Sequence, residues 1–424
     1  MTEGIPLGFT ATAVATQMRR QGMDPQQIGA FIATLYLPWA WKWLVGPVVD
    51  VVYAQRFGRR RGWIIAMQTL MALTLAASMG VDFVGDFAFY SGIIFVMNCF
   101  GATQDVAIDA LAVQVLSEKE RGVANGFMFA GAYIGNAVGG SGVLFLSEYA
   151  GFQPASMLVL ASLAAVTLLV AVPMREPKTD AIHPHAGAAL GVIAQQLRDY
   201  VIQAFKAFTG TRQAMLAVVF ALLPAGALSL SLGVGTNIPV EFGMSDGQIA
   251  QLSLVGAIVS ALGCVAGGWL SDRLGRRKMM AVYIALTTLP VLVFAAIMRE
   301  HGWVMPVDVK AADRSVAPDS LIGALWAVSI FYSLFQGLMY GTRTALFMDI
   351  CTPAVAATQF TAYMALLNLT TAYSAWWQGS MAKHSGYPQT LTFDALAGLA
   401  CLLLLPLLSV PKTAKVADAT DIQR

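Results

Sequence analysis

Charge is what this chain has least of. Asp, Glu, Lys and Arg make up 12% of its 424 residues, against about 25% in an ordinary soluble domain. Hydrophobic residues make up 57%, and the mean hydropathy is +0.65. Such a chain has too little polar surface to face water, so its solvent is lipid. Cysteine is scarce as well. Cys99, Cys264, Cys351 and Cys401 stand far apart, each within or at the end of an apolar run, which excludes a disulfide framework or a C-x-x-C site. No Walker A run occurs, so ATP is not bound in the usual way. A formal charge of +2 without a basic, aromatic-interleaved tail gives nucleic acid nothing to bind. No basic segment leads into a cleavable apolar stretch, so no removable signal peptide is expected. His183 and His185 flank Pro184 without further ligands, and neither a metal nor a cofactor is expected.

What is present is apolar length. Twelve segments, at 4–18, 28–52, 63–80, 88–115, 122–146, 154–173, 213–238, 248–270, 279–298, 321–346, 357–380 and 392–410, use up nearly the whole chain. Each is read as a helix crossing about 30 Å of hydrocarbon, which takes about 20 residues. The first offers only fifteen before Arg19 and Arg20; either residues precede Met1 or the helix is short and completed by its neighbours. The expected fold is therefore all-α and integral to the membrane, with twelve transmembrane helices in two six-helix bundles, the first helix short. The divisions are a first bundle over 1–173, a linker over 174–212, a second bundle over 213–410 and a tail over 411–424. Leu190, Ile193, Leu197, Val201, Phe205 and Phe208 recur at helical spacing in the linker between polar residues, the pattern of an amphipathic helix on the membrane surface.

Orientation follows from Lys and Arg. With a cytoplasmic N-terminus, the inner loops and tail hold 18 of the 26 basic residues and the outer loops six. This positive-inside bias puts both termini in the cytoplasm.

The halves repeat one another. Gly268-Trp269-Leu270-Ser271-Asp272-Arg273-Leu274-Gly275-Arg276-Arg277-Lys278 joins spans 8 and 9. Gly46-Pro47-Val48-Val49-Asp50, then Gly58-Arg59-Arg60-Arg61 after a longer loop, joins spans 2 and 3. Glycine lets helices touch, aspartate accepts from amides and basic groups of a facing helix, and the arginines hold the loop at the phosphate layer. Phe100-Gly101 through Asp109 also aligns without gaps with Tyr340-Gly341 through Asp349, at an offset of 240. Two parallel six-helix repeats describe a rocker-type secondary transporter with its substrate between the halves.

At this point the chain resembles the major facilitator superfamily, whose signature loop G-x-L-x-D-R-x-G-R-R-x is matched throughout residues 268–278. Within it the chain looks like the AmpG-related branch. The segments that carry the likeness are Leu37-Pro38-Trp39-Ala40-Trp41-Lys42-Trp43, Gly58 to Trp63, Gln104-Asp105-Val106-Ala107-Ile108-Asp109, Arg121 to Gly126, and Gly139-Gly140. The resemblance implies a carrier of the bacterial inner membrane for peptidoglycan fragments, acetyl-coenzyme A or siderophores. Muropeptide permeases of this branch tend to carry two extra helices, so twelve spans favour the siderophore importers of RhtX/FptX type, with the muropeptide permease as the alternative. Gly135-Asn136 stands where drug antiporters of the superfamily have Gly-Pro, which weakens an exporter reading.

An ionisable group at a helix centre costs about 2.5–3.5 kcal/mol on insertion scales, so each needs a reason. Lys42 lies between Pro38 and Pro47, which loosen the backbone around it. Asp105 and Asp109 are one turn apart, with Asn98 on the same face. Asp105 has neutral Ala345 at its repeat position, and that asymmetry suggests a task for one half alone: carrying the coupling proton. Arg343 has the planar fork that suits a carboxylate or phosphate, supplied by the substrate or by Asp105. Lys42, Asn98, Tyr133, Gln336, Tyr340 and Arg343 are the candidate substrate residues. Asp50, Arg59, Arg60, Asp109, Asp272, Arg276, Arg277 and Asp349 are read as latches and gates at the inner loops. Catalysis in the membrane would need a cluster such as H-x-x-E-H or G-x-S-x-G, and neither is present. The expected partners are a small solute, protons and lipid, and a monomer suffices. A topology reporter fused after Lys178 is predicted to read cytoplasmic and one near Ala312 external; the opposite pattern would overturn both orientation and span count.

Overall fold

A computed structural model of the chain describes residues 2–52, 58–115, 131–176, 186–351 and 356–408. Among these residues twelve helical crossings run in chain order. In the first half α1 covers 4–20, α2 25–51, α3 Arg61–Ser78, α4 Phe87–Val115, α5 131–150 and α6 Phe152–Ala171. In the second, α7 covers 212–241 in two pieces, α8 Asp246–Leu274, α9 Arg276–Glu300, α10 Asp319–Ile350, α11 Ala356–Ser385 and α12 Tyr387–Leu407. Among the described residues six helices, α4, α6, α8, α9, α10 and α12, are by themselves long and apolar enough to cross a membrane. The remaining crossings are shorter, more polar or interrupted. A linker helix, Ala186–Thr209, joins the halves and leaves Leu190, Val201 and Phe205 exposed. His183, His185 and the tail from 411 lie outside the described residues.

The helix starts have local causes. Asp24 caps α2 through a capping box with Gln27, and Ser245 does the same for α8 with Gln248. Lys42 lies where α2 tightens into a 3-10 turn over Lys42–Leu44, between its two prolines. The first helix is short, 17 residues from Gly4 to Arg20, and includes a π-helical stretch at Phe9–Val14.

The seventh span departs from the continuous helix expected over 213–238. It is broken between Arg212–Leu222 and Gly233–Glu241. Pro224 and Gly226 stand at the break, and Gly226 takes a φ of +69°, a conformation that favours glycine. The freed backbone groups do not go unmet. Asp394 of α12, fully buried, accepts from the N–H groups of Leu228 and Ser229, each at 2.8 Å, and from Gln378 Nε2 at 2.8 Å. Tyr332 and Tyr373 donate to the Ala227 and Leu222 carbonyls, at 2.9 and 2.5 Å. Irregular backbone at membrane depth survives only when neighbours satisfy it in this way.

The halves join at the end opposite the arginine-rich loops. There α2 and α11 pack backbone to backbone, because a Cβ on Gly29 would meet the Ala375 carbonyl and Gly379. Phe242, Phe294 and Trp303 fill the core beside this contact, with Trp303 edge-on to Phe242 at 5.1 Å. Replacing Asp394→Ala leaves three buried donors unmet, the Leu228 and Ser229 N–H groups and the Gln378 amide, each worth about 1–3 kcal/mol. Thermal unfolding in detergent is expected to fall by several degrees, whereas Phe393→Ala, one residue away and exposed, leaves it nearly unchanged.

Candidate functional site

Charged groups from both halves converge on one tyrosine. In the first half Lys42 forms a hydrogen-bonded ion pair with Asp105 and lies 3.8 Å from Asp109; these side chains are 14%, 9% and 53% exposed. Lys42 Nζ also sits 5.9 Å from the centre of the Trp39 ring. Glu3, which precedes α1, is within electrostatic reach of Asp105, Lys42 and Asp109. Three carboxyls therefore lie within reach of one ammonium. Beside them Gln104, fully buried, donates to Thr2 Oγ1 at 3.0 Å and leaves its Oε1 without a partner.

The second half supplies the opposite charge. Gln336, Tyr340 and Arg343 follow one another on a single face of α10 at steps of four and three. The Arg343 guanidinium lies 5.3 Å from the Tyr340 ring centre, and its buried Nε has no hydrogen-bond partner; neither has Gln336 Oε1. Among the described residues no carboxylate lies within ion-pair distance of Arg343. Its neighbours are Tyr340, Cys401, Tyr133 and Tyr332. Tyr133 of α5 also reaches Tyr340 and Cys264, and Tyr36 of α2 reaches Tyr340. Tyr340 in turn is within electrostatic reach of Arg343, Lys42 and Glu3.

Several sequence expectations change in this light. Asp105 is taken by Lys42, so it is not the counter-ion of Arg343. Asn98 is buried and donates back to the Ile94 carbonyl of its own helix at 2.9 Å, which turns it away from solute. Asp349 accepts from Arg276 at 2.5 Å, and Asp272 accepts from the same guanidinium at 2.9 and 3.0 Å. The equivalent Asp109 instead faces Lys42, because the first half has a lysine where α2 crosses α4. Arg277 donates to the Leu408 carbonyl and Arg60 to the Val49 carbonyl, while Arg59 is half-buried in the turn before α3. The side chain of Asp50 lies outside the described residues.

The sequence reading passed over four carboxylates or cations that matter. Glu3 precedes the first apolar span, and Arg19 and Glu241 lie just past the spans, where charge is unremarkable. Asp394 stands inside the twelfth span, and the cost that singles out Lys42 singles it out equally.

Arg19 and Glu241 form the closed end. They are 3% and 1% exposed and meet at 2.6 Å across the two halves. The remaining groups are met too: Tyr387 donates to Glu241, the Val307 N–H donates to it at 2.9 Å, and Arg19 reaches the Met23 carbonyl at 2.9 Å. Arg20, Gln17 and Ser147 all bind Asp246 at the start of α8, at 2.5, 2.7 and 2.8 Å. Lys383 binds Asp24 at 2.9 Å. Burial pushes the Asp24 carboxyl up, but Lys383 and the Gln27 N–H outweigh it and hold it below the usual value. That contact is therefore present at neutral pH and lost only in acid.

The profile of the Major Facilitator Superfamily matches residues 3–307 and 234–423. The chain belongs to the Major Facilitator Superfamily. Within the superfamily it is similar to AmpG-related transporters. It is 25% identical over 408 residues to the anhydromuropeptide permease of Escherichia coli K12, covering 95% of this chain and 76% of that one. It is 23% identical over 413 residues to a Rickettsia conorii transporter named AmpG 4, covering 96% and 93%. Solved superfamily folds superpose over nearly the whole chain. The inward-open xylose transporter XylE of E. coli gives a TM-score of 0.67 at 12% identity, covering 97% and 96%. The nucleoside transporter NupG gives 0.62 at 13%, covering 96% of each chain. Membership makes the chain an integral membrane transporter of small molecules.

Removing one partner of a buried ion pair costs about 3–5 kcal/mol. Arg19→Gln is thus expected to loosen the closed end. A cysteine replacing buried Thr16, one turn deeper, should react slowly with maleimide in detergent when Arg19 is intact and at least about tenfold faster in Arg19→Gln. Equal rates would leave the pair without a gating role.

Proposed function

We propose that this protein is a proton-driven importer of peptidoglycan fragments across the bacterial inner membrane, working by alternating access between its two halves. The observation that carries the reading is Arg343, a half-buried arginine of α10 whose buried Nε has no partner and which has no carboxylate within ion-pair distance among the described residues. A charge placed there without a counter-ion is costly unless a ligand supplies one. The muropeptide reading is supported by relatives named for that activity, which align over 95% of the chain. The siderophore reading rested on twelve spans rather than fourteen. Chain length speaks less directly to substrate than the relatives do, so the siderophore stands second.

Coupling is assigned to Asp105. Its carboxylate is tied to Lys42, and Glu3 adjoins it, so one proton relieves two neighbouring carboxylates. Substrate and proton would then act on different halves. With the arginine-rich loops cytoplasmic, the sealed end is external and the 53% exposed Asp109 faces inward. The state described is then inward-facing.

Asp105→Asn keeps the shape but cannot ionise. It is expected to abolish accumulation of an anhydromuropeptide driven by a pH gradient in proteoliposomes while binding is retained. Accumulation against the gradient with normal pH dependence would remove Asp105 from the coupling path. Failure of the wild type to accumulate the muropeptide would remove the substrate assignment instead.

A further inference from the structure

The site is electrically polar, and that polarity restricts what it can hold. On the side of the second half Arg343 and Gln336 leave unpartnered polar atoms on one face of α10. On the side of the first half Asp105 and Asp109 both pair with Lys42 and Glu3 is within electrostatic reach of it, so carboxyl groups outnumber the ammonium. Asp105 is committed to Lys42. Asp109 is held more loosely: Lys42 stands 3.8 Å away, at the long limit of an ion pair, and the Asp109 side chain is 53% exposed. Tyr340 is within electrostatic reach of Arg343, Lys42 and Glu3. Tyr36, Tyr133 and Tyr340 add aromatic faces from α2, α5 and α10.

We infer that the substrate is amphoteric, with an anionic group bound by Arg343 of the second half and a cationic amine bound by Asp109 of the first. The inference rests on the transporter reading above and narrows its substrate class. A solute that is only anionic satisfies Arg343 but meets an excess of carboxyl groups at the other pole, so the first half selects against it. A neutral sugar leaves both poles unmet. The protein then recognises its substrate by two charges a fixed distance apart, each held by a different half. Ligand binding therefore draws the halves together, as alternating access requires.

The test uses the full chain purified in detergent and calorimetric binding of two probes, an anhydromuramyl peptide with one free amine and the same compound with that amine acetylated. Wild type is expected to bind the free amine at least about tenfold more tightly. Asp109→Asn should reduce that preference to less than about threefold, and Arg343→Gln should weaken both probes alike. Equal binding of the two probes by wild type, or an unchanged preference in Asp109→Asn, overturns the inference. If neither probe binds, the muropeptide assignment fails, and the charge pairing is decided with alanyl-glutamate against N-acetyl-alanyl-glutamate. Preference for the free amine there supports the amphoteric site; no preference, or no binding, overturns it.

Discussion

Hydrocarbon cannot solvate a charge or a bare peptide group, and the interior of this protein is organised by that one constraint. Asp394 meets the N–H groups freed where α7 unwinds. Lys42 is compensated by carboxyls from α4 and by Glu3. Arg19 and Glu241 compensate each other while closing one end of the molecule. Arg343 departs from this rule. Its neighbours are tyrosines and a cysteine, which soften the desolvation of a guanidinium without neutralising it.

The two halves are alike in topology and unlike in charge. In the second half the loop between α8 and α9 closes on itself, with Arg276 held by Asp272 and Asp349. The first half has the same aspartate at 109, yet that residue lies 3.8 Å from Lys42. A single lysine in α2 has thus converted a loop latch into part of a charged cluster. The carboxyl cluster and Arg343 consequently belong to different halves, the first to α2 and α4 and the second to α10. A solute that touches both couples the halves mechanically, and a proton on the carboxylates changes the field it meets.

The closed end shows how such a carrier holds one state without being locked in it. Arg19 and Glu241 are fully hydrogen-bonded and dry, so the pair is specific, but its net worth is limited because both ions must be desolvated. The glycine contact between α2 and α11 adds van der Waals packing with no side chains to disentangle. One-turn polar layers beneath the pair, Thr16 on α1 and Asn237 on α7, keep side-chain atoms that lack hydrogen-bond partners while the end is shut. Those groups favour the opened state, where water reaches them, and so balance the latch.

The sequence by itself determined the solvent, the number and order of crossings, the repeat, and the identity of Lys42, Asp105 and Arg343 as charges needing a reason. Each of these follows from local quantities: apolar length, spacing along one helix, and the transfer cost of an ionisable side chain. It did not determine which charge answers which. Asp105 pairs with Lys42 and not Arg343, and no periodicity along one helix encodes which distant helix supplies the partner. Nor did hydropathy separate a continuous seventh helix from a broken one, since Pro224, Gly226 and their apolar neighbours read as one span; the break persists because Asp394, over 160 residues away, satisfies it. Arg19 and Glu241 looked like solvated loop charges until the halves came together around them. Partner choice among charges is a property of three-dimensional contact across distant helices, and only the tertiary structure decided it.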